Sequence, residues 1–151
     1  MSARQWVWIN LGGVFAFGLF FVLSLITRGH TAFVVLTEII GLATLGFAIA
    51  AIVYKKKDLR WLAISIISYM TPWLVFAIGH EAGVNASSTL KGLWFFPFYI
   101  TIVAGMFFIK RSYHYLEGLF KLLPAFFLFF HSILLLYMIA LHIWWVLPIQ
   151  S

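Results

Sequence analysis

Few side chains in this sequence are equipped for chemistry, and those few are carboxylates and imidazoles set in apolar runs. Glu38 lies in VVLTEIIGL, His131 in FLFFHSILL and His142 in IALHIWWV, while His80 and Glu81 are adjacent after WLVFAIG. An ionisable group at the centre of a membrane helix costs roughly 2.5–3.5 kcal/mol to insert, so each is a candidate for proton transfer, ligand binding or an interhelical hydrogen bond. His131, Leu135, Met138 and His142 fall within about 40° of His131 at 3.6 residues per turn, forming one stripe. Histidine and methionine are ligands of haem and copper. The stripe therefore admits a b-type haem, with His80 and His142 as its axial imidazoles and His131 and Met138 as further candidate ligands.

Other chemistries are nearly absent from the pattern. The chain has no cysteine, which removes disulfides, zinc-thiolate sites, iron–sulfur clusters and a thiol nucleophile. Ser65, Ser68 and Ser132 have no acid and base at readable spacing. His80-Glu81 is not followed by a histidine at metalloprotease spacing, and neither a glycine-rich phosphate loop nor a nucleophile elbow occurs. An enzyme is thus the weaker expectation. Asn85-Ala86-Ser87 matches the glycosylation sequon, a pattern frequent by chance.

The elements that hold these residues follow from composition. Of 151 residues, 64% are hydrophobic and only 9% charged, against about 25% charged in a soluble domain. So few charges cannot cover a water-facing surface, and a soluble globular protein is excluded. Crossing a hydrocarbon core of about 30 Å takes about 20 apolar residues in a helix, whose backbone groups satisfy one another. Five stretches qualify: 6–26, 31–54, 61–79, 90–109 and 122–147. The alternating segments of a barrel are missing. The first stretch exceeds the h-region of a signal peptide and is expected to persist as a helix. The expected fold is all-α: one bundle of five transmembrane helices forming a single domain.

Five crossings place eight of the ten basic residues on one side: Arg4, Lys55, Lys56, Lys57, Arg60, Lys110, Arg111 and Lys121. Arg28 and Lys91 stand alone on the other. The positive-inside rule then puts the N-terminus in the cytoplasm and the C-terminus outside, with the cytoplasmic membrane of a prokaryote as the expected location. The net charge of +6 sits in short juxtamembrane loops. Contact of Lys55, Lys56, Lys57, Arg60, Lys110 and Arg111 with anionic lipid explains it better than nucleic acid does.

Within that frame several polar features share a depth. Glu38 is about 10 Å from the outer end of its helix and His142 about 8 Å, at 1.5 Å per residue. Pro72 cannot bond the carbonyl of Ser68, nor Pro97 that of Leu93. With His80 and Glu81 at the rim, these features predict an outward-opening polar pocket of Glu38, Ser68, Thr71, His80, Glu81 and His142. The competing reading is an interhelical lock, with Glu38 protonated or bonded to His142. Small residues predict close packing of the first two helices (Gly12, Gly13, Ala16 and Gly18 against Gly41, Thr44, Gly46, Ala48 and Ala50). Phenylalanine-rich helices four and five are expected to face lipid or a partner subunit, with 113–121 as a short interfacial helix between them.

Two functions compete. The favoured expectation is a subunit that docks on a larger membrane complex, or on a copy of itself, through helices four and five. The alternative is a small proton-coupled carrier or channel protomer using Glu38, with the b-type cytochrome behind it.

Overall fold

The computed structural model describes residues 2–54 and 57–147. Among them are five helices: α1 (Ala3–Ile26), α2 (Thr31–Tyr54), α3 (Lys57–Glu81), α4 (Lys91–Tyr115) and α5 (Leu122–Val146). Each is long and apolar enough to cross a membrane. That length and hydropathy are those of an integral membrane protein. Lys55 and Lys56, two of the expected lipid contacts, lie outside the described residues; Lys57 opens α3, and Arg60, Lys110 and Arg111 are exposed.

Local chemistry sets the helix ends. Ser2 and Gln5 form a reciprocal capping box: the Gln5 amide donates to Ser2 Oγ (3.3 Å) and the Ser2 amide to Gln5 Oε1 (2.7 Å). These bonds satisfy donors that α1 leaves open at its start. Between α1 and α2 the chain reverses through Arg28 (φ 55°) and Gly29 (φ 77°). The structure differs from the sequence reading at 113–121. Residues 113–115 complete α4, Leu116 and Glu117 are extended, and only Gly118–Lys121 form a 3-10 turn. Hydropathy marks what lipid can accept, whereas the helix continues until its backbone bonding stops. Nothing from Lys110 to Tyr115 breaks it, and the left-handed Gly118 (φ 57°) follows only later.

The chain divides into two compact units, Met1–Met70 and Thr71–Ser151. The first is organised by α1 against α2. Trp6, Asn10, Val14 and Phe17 of α1 are buried, as are Thr37, Gly41, Thr44, Ala48 and Ala51 of α2. A Cβ placed on Gly13 would lie 2.6 Å from Thr44 Oγ1, so the Thr44 side chain of α2 sits in the space that glycine leaves open on α1. Thr37 and Thr44 donate to the carbonyls of Phe33 and Ile40, each at 2.7 Å. Their hydroxyls are satisfied within the helix, and their methyl groups remain for packing.

The second unit is organised by α4 against α5. Phe95, Phe98, Ile102 and Met138 form its buried core, flanked by Val75, Trp94, Tyr99 and Trp145 among others. Rings and long side chains do here what small residues do in the first unit. The remaining surfaces of α4 and α5 expose large apolar side chains, including Phe96, Phe107, Phe126, Phe129 and Phe130.

Candidate functional site

Tyr99, His142 and Lys91 of the second unit lie toward the end of α4 and α5 that includes Trp145. On α5, His131 and Met138 are each 1% exposed, while Leu135 and His142 are half-buried. The stripe expected from spacing is therefore the face that α5 turns inward. His142 lies flat on Phe95, with centroids 4.3 Å apart and planes 13° apart. Its Nδ1 is 3.0 Å from the Tyr99 hydroxyl. That hydroxyl also points to the carbonyl of Met138, at 3.4 Å.

The Tyr99 O–H donates to the Met138 carbonyl, and the tautomer of the imidazole sets the direction of the bond between the Tyr99 hydroxyl and Nδ1. The ring is fixed by a stack on one face and a bond at one nitrogen. Beside it runs a groove of about 280 Å3 lined by His142, Ile143, Val146 and Leu147.

Around this pair the rings form a row. Phe76 stacks on His80 (6.3 Å) and tilts against Trp94 (6.2 Å). Trp94 meets Phe95 (5.4 Å) and stacks on Trp145 (6.0 Å). The Trp94 Nε1–H donates to the Val75 carbonyl at 3.2 Å. Its indole takes the place a Cβ on Gly79 would need, so glycine at 79 is what lets α4 seat a tryptophan against α3. Lys91 closes the end, donating from Nζ to the carbonyls of Ala86 (2.8 Å) and Trp145 (3.3 Å). The second is one of the last-turn carbonyls of α5, which have no intrahelical donor and carry the negative end of the helix dipole.

The expected pocket residues distribute as follows. Glu38 is half-buried on α2 and Ser68 buried on α3, both in the first unit. Thr71, His80, Glu81 and His142 belong to the second. His80 and Glu81 are brought together, with Nδ1 and Oε1 3.4 Å apart, and both side chains are largely exposed. An exposed pair of this kind adds little stability. The imidazoles that a haem would need, His80 and His142, stand at the two ends of the row through Phe76, Trp94 and Phe95.

Four side chains carry more than their sequence positions announce. Tyr99 fixes His142, Lys91 ties the 82–90 loop to α5, and Asn10 and Tyr137 are uncharged polar groups within spans. Asn10 is 3% exposed; its Nδ2 donates to the Trp6 carbonyl at 2.9 Å while its buried Oδ1 has no hydrogen-bond donor among the described residues. Tyr137 is 56% exposed on α5. The missed signal was depth: an amide or phenol far from a helix end deserves the same scrutiny as a charge. No known family, curated protein or solved structure matches this chain.

Proposed function

We propose that this protein is an integral membrane subunit that docks on another membrane protein through the outer stripe of α5. The reading rests on Tyr137. Phe126, Phe130, Ile133, Tyr137 and Trp144 lie within about 40° of Tyr137 around the helix, and all are exposed. Tyr137 is nine residues before Val146, so about 13 Å from the helix end at 1.5 Å per residue. Its hydroxyl has no hydrogen bond among the described residues. Hydrocarbon cannot supply one, and a phenol that deep cannot reach the headgroups. A helix of another protein, offering a carbonyl or side-chain acceptor, answers that need, and the flanking Phe126, Phe130 and Ile133 supply packing area.

The basic residues orient this subunit with Lys110 and Arg111 at the cytoplasmic face and the His142 end of α5 outside. A photo-crosslinking side chain at Ile133 tests the docking. It is expected to capture one partner of discrete mass, whereas the same probe at Phe15, 71% exposed on α1, captures lipid. Tyr137→Phe is expected to lower partner co-purification about threefold, the average worth of one interhelical hydrogen bond. Identical adducts at both positions, or a stable lone monomer in mild detergent, would refute the subunit.

A further inference from the structure

We infer that the corner between α4 and α5 seats an anionic phospholipid, its phosphate at Lys110 and Lys121 and its acyl chains against Leu119 and Phe120, independent of the protein partner proposed above. The corner folds back on itself. After α4 ends at Tyr115, residues 116 and 117 are extended, and the Gly118–Lys121 turn leads into α5. That turn carries Lys121 Nζ over the Tyr113 ring, 5.3 Å from its centroid. Lys110 precedes Tyr113 by three residues on α4, which makes the two neighbours on one side of the helix. Tyr113 therefore has a lysine from each side of the corner. Leu116 is tucked in, at 7% exposed. Leu119, at 83%, is the most exposed large apolar side chain among the described residues, and Phe120 is exposed beside it.

Cations and bare apolar side chains meet here at the end of two helices of membrane-spanning length, the level at which hydrocarbon gives way to phosphate. A phospholipid offers both chemistries in that order. Its chains cover Leu119 and Phe120, and the flexible stems of the lysines carry their ammonium groups outward to the phosphate. A soluble anion would satisfy the lysines and leave both apolar side chains in water. Lys110, Arg111 and Lys121 face one carboxylate in this stretch, Glu117, so the corner is net cationic. A basic residue gains about fivefold in affinity at an anionic surface, and Glu117 opposes that gain. A zwitterionic headgroup brings its own cation and offers no such advantage.

The chain has no cysteine, so Leu119→Cys gives a single attachment point for a fluorophore on the full chain. The labelled protein is reconstituted in phosphatidylcholine vesicles with a minor share of phosphatidylglycerol, and bromine is placed on the acyl chains of one lipid or the other. Quenching then reads the share of each lipid beside position 119. Phosphatidylglycerol is expected to be enriched there about fivefold over the bulk, an enrichment that molar salt removes. A fluorophore on Phe96→Cys, 68% exposed toward the other end of α4, should report none. Lys110→Gln together with Lys121→Gln is expected to abolish the enrichment, and Glu117→Gln to raise it. Bulk lipid composition beside position 119, with all three basic residues present, would overturn the seat. So would equal enrichment at positions 96 and 119, or enrichment that survives loss of both lysines. Displacement by millimolar inorganic phosphate at fixed ionic strength would assign the lysines to a soluble anion and overturn it too.

Discussion

The α1–α2 pair and the α4–α5 pair solve one problem with opposite materials. In the first, the helices approach because the Thr44 side chain fits onto Gly13 and the facing stripe is Gly41, Ala48 and Ala51. In the second, the helices fill the space between them with Phe95, Phe98, Ile102 and Met138. Lipid tails are as apolar as either surface, so neither pair gains from hiding apolar area from water. What each gains is contact. Small-residue packing brings many backbone atoms within dispersion range, whereas ring packing multiplies contacts per side chain and leaves room for polar groups at its edge. The second pair accordingly holds the Tyr99–His142 bond and the Trp94 donor, while the hydroxyls of the first pair bond their own helix.

Substitutions can break or sharpen this contrast, and the largest effect is expected where a ring fills the core. Phe98→Ala should cost about 3–5 kcal/mol, the range for deleting a buried aromatic, measured by unfolding in mixed micelles. A loss near zero would mean that α4 and α5 do not depend on that ring. Gly13→Val should cost about 1–3 kcal/mol by forcing Thr44 away, and a neighbouring Gly12→Val, where a Cβ meets nothing within 4 Å, should not. Equal costs at 12 and 13 would deny the close approach. Gly79→Ala should eject the Trp94 indole at a cost of about 1–3 kcal/mol, visible as altered tryptophan fluorescence; an unchanged spectrum would contradict the seat described for that ring.

Asn10→Leu inverts the usual expectation. It removes a buried acceptor with no described donor and should change stability by less than about 1 kcal/mol, or raise it. A larger loss would reveal a donor to Oδ1. The smallest effect belongs to the Tyr99–His142 bond, whose coupling in a double-mutant cycle of Tyr99→Phe and His142→Phe should be about 0.6 kcal/mol.

The number of helices was legible in the sequence because apolar length is a direct demand of the bilayer, and 31–54 coincides with α2. The close approach of α1 and α2 was legible too, since Gly13 and Thr44 are small. The inward stripe of α5 followed from helical spacing alone. The 113–121 segment was not legible: hydropathy carries no record of where Leu116 and Glu117 turn extended. Nor was Tyr99. It lies 43 residues from His142, and no local pattern distinguishes it from an anchoring tyrosine. Lys91 read as a loop charge because its acceptor, the Trp145 carbonyl, belongs to the backbone and leaves no trace in side-chain spacing.

The inward bonding of the hydroxyls has a bearing on how the protein is made. Thr37, Thr44, Ser65, Thr101, Ser112 and Ser132 each donate to a carbonyl three or four residues back. A nascent helix carrying such residues is already neutralised for release from the translocon, before any neighbour exists. Among the described residues, Asn10, Tyr137 and His142 have polar atoms that their own helix leaves without a full set of partners, so a chain inserted into a bilayer would carry them still owed a contact. Assembly after insertion then becomes a search by these few groups, while the rest of the chain waits without penalty.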